Sequence, residues 1–169
     1  MRLGRAAAVA AAATFVLPGV AGASAGQRSF AQTYPVASRL CAEMVRGEGP
    51  KRLRHSAASV LADCGALQAN FTAARTAVLA AETSIAQSRA SERAATKLAC
   101  AGREHSASCI SARRKHGKAI EALESQRVHA AHTYYHSVEA GRRAFWTAIR
   151  ALPGGRALRE DVPIREQSD

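Results

Sequence analysis

Four side chains in the last third of the chain have the types and spacing of a metal-binding or pH-sensing site. His129, His132, His136 and Glu139 follow one another at intervals of three, four and three residues, which places them on one face of a helix. Imidazole and carboxylate groups bind transition metals, and imidazole changes its charge near pH 6. A solvated polar face is the interpretation that we favour, because metal ligands usually converge from more than one turn or element.

A second candidate is a concentration of positive charge. The segment from Arg89 to Lys118 contains eight Lys and Arg residues against two Glu residues, a net charge of +6. Guanidinium groups bind phosphate oxygens through paired hydrogen bonds, so the segment could bind an anion, but it could equally be the solvated end of a stalk. The candidate anion-binding residues are Arg103, Arg113, Arg114, Lys115 and Lys118.

The chain contains four cysteines, which fit two disulfides in an exported protein. Of the three possible pairings we expect Cys41–Cys64 and Cys100–Cys109, because each of these spans one predicted turn. The alternative is a zinc site, although its spacing matches no familiar zinc module. That site would use Cys100, His105, Cys109 and His116.

Two long Ala-rich segments flank the turn between Cys100 and Cys109, and each has the apolar periodicity of a helix. The first arm, residues 56–99, has coiled-coil-like spacing. The second arm covers residues 109–152. Placing Cys100 opposite Cys109 sets Phe71 against Val138. The predicted seam residues are Leu53, Ala57, Val60, Cys64, Leu67, Phe71, Ala74, Val78, Ala81 and Ile85 in the first arm, and Leu123, Val128, Ala131, Tyr135, Val138, Phe145, Ile149 and Leu152 in the second.

The segments around these arms complete the predicted architecture. Residues 34–46 read as a short helix, which a Gly- and Pro-containing turn separates from the first arm. Residues 26–33 read as irregular. We therefore predict an all-α fold: a long, disulfide-closed antiparallel helical hairpin with a short N-terminal helix packed at its base. Few large apolar residues follow Ile85, so the distal hairpin should be thinly packed.

The N-terminal segment reads as a secretory signal peptide. Arg2 and Arg5 precede an apolar run over residues 6–20, and small residues up to Ala25 fit a cleavage site. The run is short for a membrane anchor, and no other stretch could cross a bilayer. The predicted organisation is a signal peptide over residues 1–25, a helical hairpin domain over 26–153 and an extended or disordered tail over 154–169.

Charge and motifs limit the functional classes. Without its first 25 residues the chain carries 22 Lys and Arg against 13 Asp and Glu, a net charge of +9. Such basicity favours anionic partners without specifying one. No serine-hydrolase elbow, zinc-protease helix or phosphate-binding glycine loop occurs, so we expect a protein that is not an enzyme and uses no cofactor.

Four segments carry a similarity to known sequences, namely residues 34–41, 49–54, 61–64 and 145–155. They resemble exported Ala- and Arg-rich helical proteins of GC-rich Gram-positive bacteria, a group without an assigned activity. The resemblance implies an exported helical protein and supplies no catalytic residue.

Two functional hypotheses follow from the sequence. The first is a secreted or envelope-bound binding or structural protein, whose basic tip contacts an anionic envelope polymer or phospholipid headgroups. The second is a metal- or pH-responsive helical protein that uses His129, His132, His136 and Glu139. Specific nucleic-acid binding is not expected, because the charge lacks interleaved aromatic residues. Self-association through an incompletely covered seam stays open.

Overall fold

A computed structural model of the protein describes residues 26–164, in which every regular element is helical. The expected signal peptide and the last five residues lie outside this range. Four α-helices and two 3-10 turns follow one another along the chain. They are α1 (Phe30–Thr33), α2 (Pro35–Val45), a 3-10 turn (Lys51–Ser56), α3 (Ala57–Cys100), α4 (Ala107–Ala151) and a second 3-10 turn (Gly155–Ala157).

The predicted hairpin and both disulfides are confirmed. Helices α3 and α4 contain 44 and 45 residues and pack against each other along their length. Cys41–Cys64 joins α2 to the start of α3, with the Cα atoms 5.8 Å apart. Cys100–Cys109 joins the distal ends of α3 and α4, with the Cα atoms 4.6 Å apart. Both cysteine pairs are thus oxidised, and the thiolates that a zinc site would need are absent.

The seam between the long helices largely follows the predicted stripes. The α3 residues Val60, Cys64, Leu67, Phe71, Ala74, Val78 and Ile85 are buried, as are Leu123, Val138, Phe145 and Ile149 of α4. Gly141 of α4 lies close against α3, because an added Cβ there would lie 2.5 Å from Asn70 Oδ1 and 3.5 Å from Leu67 Cδ1. Apolar periodicity therefore predicted most of the contact surface.

The prediction for Val128 is wrong. This side chain is 64% exposed, and the buried residue in that part of α4 is Tyr134. Tyr134 lies four residues before the buried Val138, on the same face, whereas Val128 lies about 80° around the helix from Val138 at 3.6 residues per turn. Packing is thin beyond this point, because Cys109 is the only buried residue between 86 and 122.

The proximal end of the hairpin, called the base below, is covered by α1 and α2. The expectation that residues 26–33 are irregular is wrong for Phe30–Thr33, because Ser29 caps α1 and forms a capping box with Gln32. Phe30 packs edge-on against Phe71, with ring centroids 5.6 Å apart. The Tyr34 hydroxyl donates a hydrogen bond of 2.7 Å to the carbonyl of Val138. The extra turn of helix therefore closes the seam with aromatic rings.

The segment from residue 158 to 164, called the strap below, returns across the base without regular secondary structure. Asp161 is buried, and its carboxylate accepts hydrogen bonds from the backbone N–H groups of Val36 (2.7 Å) and Ala37 (3.0 Å). It also accepts one from Trp146 Nε1 (3.3 Å). The carboxylate thereby caps the N-terminus of α2, where unsatisfied N–H groups and the helix dipole favour an anion. The sequence had not indicated that this segment packs on the domain.

Arg142 attaches the strap to α4. Its guanidinium donates two hydrogen bonds to Glu139, at 2.9 and 2.7 Å, and one to the Asp161 carbonyl at 3.1 Å. Glu139 in turn accepts a hydrogen bond from the backbone N–H of Ile164. Arg150 forms an ion pair with Glu160 of the strap. The strap is therefore held by polar contacts at several points along its length.

The burial of Phe71 in the seam predicts that Phe71→Ala lowers the free energy of unfolding by about 3–5 kcal/mol, the usual cost of truncating a fully buried phenylalanine. Phe71 is 2% exposed and contacts the rings of Phe30 and Tyr34. Arg93→Ala, at an exposed position of the same helix, is the control and should change stability little. Urea unfolding of both variants checks the prediction, and equal midpoints would show that the helix register is wrong.

The strap contacts predict that Asp161→Ala lowers the free energy of unfolding by about 1–3 kcal/mol, because buried N–H donors lose their acceptor. The substitution should also shift the fluorescence of Trp146 to longer wavelength as the strap detaches and water reaches the indole. Glu121→Ala, at an exposed acidic position in α4, is the control. An unchanged melting temperature and emission spectrum for Asp161→Ala would contradict a structural role for the strap.

Candidate functional site

The distal turn is built by three local features. Helix α3 ends at Cys100, and Gly102 adopts a left-handed conformation with φ of 65°, which glycine tolerates at no steric cost. Ser106 then caps α4, because its hydroxyl accepts a hydrogen bond of 3.2 Å from the N–H of Cys109. Together with the Cys100–Cys109 disulfide, these features fix the direction in which the chain reverses.

The basic side chains around this turn are exposed and largely without acidic partners. We call residues 93–118 the basic tip. Arg89 is the first of the eight basic residues between positions 89 and 118. It forms an ion pair with Glu124, and Glu124 forms a second ion pair with Arg127 at 3.1 Å. Within residues 26–164 the other seven basic residues of that run make no ion pair. These seven are Arg93, Lys97, Arg103, Arg113, Arg114, Lys115 and Lys118.

The basic tip can therefore bind an external anion without first breaking an internal salt bridge. Arg113, Arg114 and Lys115 are consecutive, so their side chains leave α4 in directions about 100° apart. Arg103 lies in the turn itself, and Lys118 follows Arg114 by one helical turn. Such a spread suits an extended surface or polymer with many phosphates better than one small anion in a pocket.

The residues His129, His132, His136 and Glu139, called the histidine strip below, are only partly assembled into a site. The Nε2 atoms of His132 and His136 lie 3.1 Å apart, and their ring centroids 4.2 Å apart. Both side chains are exposed, and so is His129, one turn earlier on α4. Two nitrogens at this separation can occupy neighbouring positions around one metal ion with bonds of about 2.0–2.1 Å.

Glu139, the fourth residue of the strip, forms hydrogen bonds with residues of the base instead. Its hydrogen bonds from Arg142, and a further one from the N–H of Ile164, lower the pKa of Glu139 against the opposing effect of burial. The carboxylate is thus ionised and already neutralised by a guanidinium. No group of three or more His, Cys, Asp and Glu side chains in residues 26–164 is arranged to hold a metal ion.

Comparisons with known proteins provide no functional assignment. The chain matches no family model, no curated protein sequence and no solved structure. No helix between residues 26 and 164 combines the length and apolar character needed to cross a membrane.

Sequence reasoning missed the polar network at the base. The pattern of the sequence placed Trp146 among the aromatic residues of the base, but it indicated no role for Asp161 or Arg142, which the structure joins to it through the strap. Their contacts connect residues that are far apart in the sequence and follow no periodic pattern. The one signal available was the presence of apolar residues, such as Val162 and Ile164, in a segment that otherwise appears polar.

The geometry of the strip predicts that Zn²⁺ or Ni²⁺ binds weakly through the His132–His136 pair. Substituting either residue with glutamine should raise the dissociation constant by at least about tenfold, which corresponds to 1.4 kcal/mol. His129→Gln is the matched control on the same face and should have little effect. Isothermal titration with the metal salt measures all three variants, and an equal loss in His129→Gln would show that the ligand set includes all three histidines.

Proposed function

We propose that this protein is an exported, non-enzymatic binding component of the cell envelope, which contacts anionic polymer or lipid through its basic tip. The observation that carries the proposal is the group of seven exposed basic side chains without ion pairs around a disulfide-closed turn. Uncompensated cations at one end of a molecule attract polyanions, and arginine adds hydrogen bonds to phosphate oxygens.

Four of the six side chains with shifted pKa values lie together in the base and support a structural role for it. Burial raises the pKa of Tyr34, whose hydroxyl donates to the Val138 carbonyl, and burial also raises the pKa of Tyr134. Their mutual hydrogen bonds lower the pKa of Glu139 and raise the pKa of Arg142. Perturbed groups often mark catalytic sites, but these four pack or pair within the base, and none lies at the basic tip.

Export is supported by the cysteine chemistry. All four cysteines form disulfides in the structure, a state that persists in oxidising compartments outside the cytosol. The charged and apolar N-terminal segment and the resemblance to exported helical proteins are in keeping with this location.

The separation of the packed base from the basic tip also suits a binding role in which the tip contacts a ligand far from the base. At 1.5 Å per residue, the 44 residues of α3 extend over about 66 Å. The large buried aromatic residues lie at the base, and the uncompensated cations lie at the opposite end. The helical stalk can therefore keep the basic tip well away from whatever the base contacts.

A second candidate function is metal or pH response through the histidine strip. The observation that favours it is the 3.1 Å separation between the His132 and His136 Nε2 atoms. With two assembled histidines, this site would bind metal more weakly than a site with three or four protein ligands. The titration described above tests it independently of the basic tip.

The proposed function predicts that reversing three charges at the tip abolishes binding to anionic vesicles and wall polymer. The variant is Arg113→Glu, Arg114→Glu and Lys115→Glu, all at exposed positions, so circular dichroism should show unchanged helicity. Binding of the parent protein should weaken as salt rises, because exposed charges are screened. Vesicle and polymer cosedimentation measures the effect.

A matched control makes the same change in net charge at the base, through Arg39→Glu, Lys51→Glu and Arg54→Glu. These side chains are also exposed, and the control should retain most of the binding. Replacing His129, His132 and His136 with glutamine should likewise leave binding nearly unchanged. Equal binding by the tip variant and the parent at low salt would refute the proposed function.

A further inference from the structure

The two disulfides differ in where their cysteines lie within the helices. Cys109 is in the first turn of α4, two residues after Ala107, with which the helix begins. Cys64 and Cys41 lie in the interiors of α3 and α2. The N–H groups in the first turn of a helix lack intrahelical acceptors and favour negative charge, and this effect fades beyond that turn. The position of Cys109 therefore stabilises a thiolate, and the positions of Cys64 and Cys41 do not.

The groups at the start of α4 leave this effect uncompensated. The hydroxyl of Ser106 accepts a hydrogen bond from the N–H of Cys109, but the hydroxyl is neutral. No acidic residue occurs in the first turn of α4, where a carboxylate would balance the positive end of the helix dipole. Because the Cα–Cβ bond of a helical residue tilts towards the helix N-terminus, the Cys109 side chain leans towards that positive end.

The charged residues around the tip disulfide are mainly basic. Arg113 follows Cys109 by four residues, about one helical turn, on the same side of α4. Lys97 lies in the last turn of α3, and Arg103 lies in the connection between the helices. Glu104 is the single acidic residue between positions 93 and 120. Neighbouring Lys and Arg side chains also stabilise a thiolate.

The base disulfide has different surroundings. Asp63 directly precedes Cys64, and residues 57–74 of α3 contain no Lys or Arg. Cys64 belongs to the buried hydrophobic cluster of the base. Desolvation and a neighbouring negative charge both disfavour a thiolate. A thiolate is therefore less stable at Cys64 than at Cys109.

Solvent access does not distinguish the two disulfides. In each pair one cysteine, Cys100 or Cys41, is partly exposed, and the other, Cys109 or Cys64, is buried. An external thiolate therefore reaches the partly exposed sulfur, and the buried cysteine becomes the leaving group. A disulfide whose leaving thiolate is more stable exchanges faster and is more easily reduced. The stability of the leaving thiolate thus favours reaction at the tip.

We propose that Cys100–Cys109 is a redox-active disulfide that exchanges with an external dithiol, whereas Cys41–Cys64 is structural. One thiolate of the dithiol attacks Cys100 Sγ, the bond to Cys109 Sγ breaks, and Cys109 leaves as a thiolate. The second thiol of the dithiol loses its proton to water and attacks its neighbouring sulfur in the mixed disulfide, which releases Cys100 as a thiolate that takes up a proton. Two electrons thereby pass to the cysteine pair, and the dithiol becomes a disulfide. This activity is additional to the proposed function and does not depend on it.

The packing of the hairpin allows this reduction without loss of the core. Cys109 is the only residue buried between positions 86 and 122, whereas the hydrophobic cluster lies at the base and in the proximal part of the hairpin. Reduction of the tip therefore frees the distal helix ends, whose like charges repel one another, and leaves Cys41–Cys64 in place. Because the two freed thiols must meet again for oxidation, this loosening also favours the reduced state.

Equilibration with dithiothreitol compares both disulfides within one molecule. The oxidised protein is incubated at neutral pH with graded ratios of reduced to oxidised dithiothreitol, alkylated, and analysed by mass spectrometry of its cysteine peptides. Half-reduction of Cys100–Cys109 should need a ratio at least about tenfold lower than that of Cys41–Cys64, which corresponds to about 30 mV. Reduction of both pairs at the same ratio, or of the base pair first, would overturn the proposal.

Circular dichroism of the same samples tests whether the fold survives. At the ratio that reduces the tip alone, most of the helical signal should remain, because the core of the base is unaffected. Collapse of the helical signal at that ratio would show that Cys100–Cys109 is a structural disulfide, and the proposal would fail.

Arg113→Glu tests the electrostatic argument. It places a carboxylate one turn from Cys109 and should raise the ratio needed for half-reduction of the tip about two- to fivefold, the usual size of a charge effect near a helix N-terminus. Lys118→Glu makes the same change in charge nine residues from Cys109, on the opposite side of α4, and should have a smaller effect. Equal shifts in the two variants, or no shift in Arg113→Glu, would refute stabilisation of the thiolate by its surroundings and the proposal with it.

Trapping the intermediate identifies the sulfur that is attacked. Acid quenching early in a reaction with glutathione should yield glutathione attached to Cys100 and a free thiol at Cys109. Attachment to Cys109 would make Cys100 the leaving group and contradict the proposed exchange. Because none of these measurements involves binding to an anionic polymer or lipid, their failure would leave the proposed function unaffected.

Discussion

The structure depends on one constraint: a pair of helices can bury only the single stripe along which they touch. The long α3–α4 seam is apolar near the base, where Phe71, Val138 and Phe145 are buried, and it becomes thin towards the turn. Two helices with so little shared core would separate easily at both ends. The fold compensates differently at each end, with added layers at the base and a covalent bond at the tip.

At the base the compensation is noncovalent as well as covalent. Helices α1 and α2 cover the seam, Cys41–Cys64 fixes α2 to α3, and Asp161 of the strap caps α2 while binding Trp146. The Asp161 carboxylate satisfies two backbone donors and one indole donor that burial would otherwise leave without a partner. The shifted pKa values of Tyr34 and Glu139 follow from this packing. Burial raises the pKa of Tyr34, and the hydrogen bonds from Arg142 lower the pKa of Glu139.

At the tip the disulfide allows a surface that noncovalent packing would not sustain. Like charges around a thin helical pair repel one another, and exposed Leu98 and Ile110 contribute nothing to a core. Cys100–Cys109 restricts separation of the two ends independently of salt and of that repulsion. Residues in this region contribute little to the buried core, and most of the packing lies in the base. The same division explains why the candidate ligand contacts and the buried aromatic residues occupy opposite ends of the hairpin.

The sequence by itself determined the helical class, the hairpin and both disulfides, because apolar periodicity and cysteines beside turns are local signals. It also located the basic tip, since exposed charge needs little tertiary context to be recognised. Only the tertiary structure decided that Tyr134 and not Val128 enters the seam, that Glu139 binds Arg142, and that Asp161 caps α2. Which residues of a long helix are buried depends on how the helix is rotated against the partner on which it packs. The Asp161–Ala37 contact joins residues 124 positions apart, which no local pattern can specify.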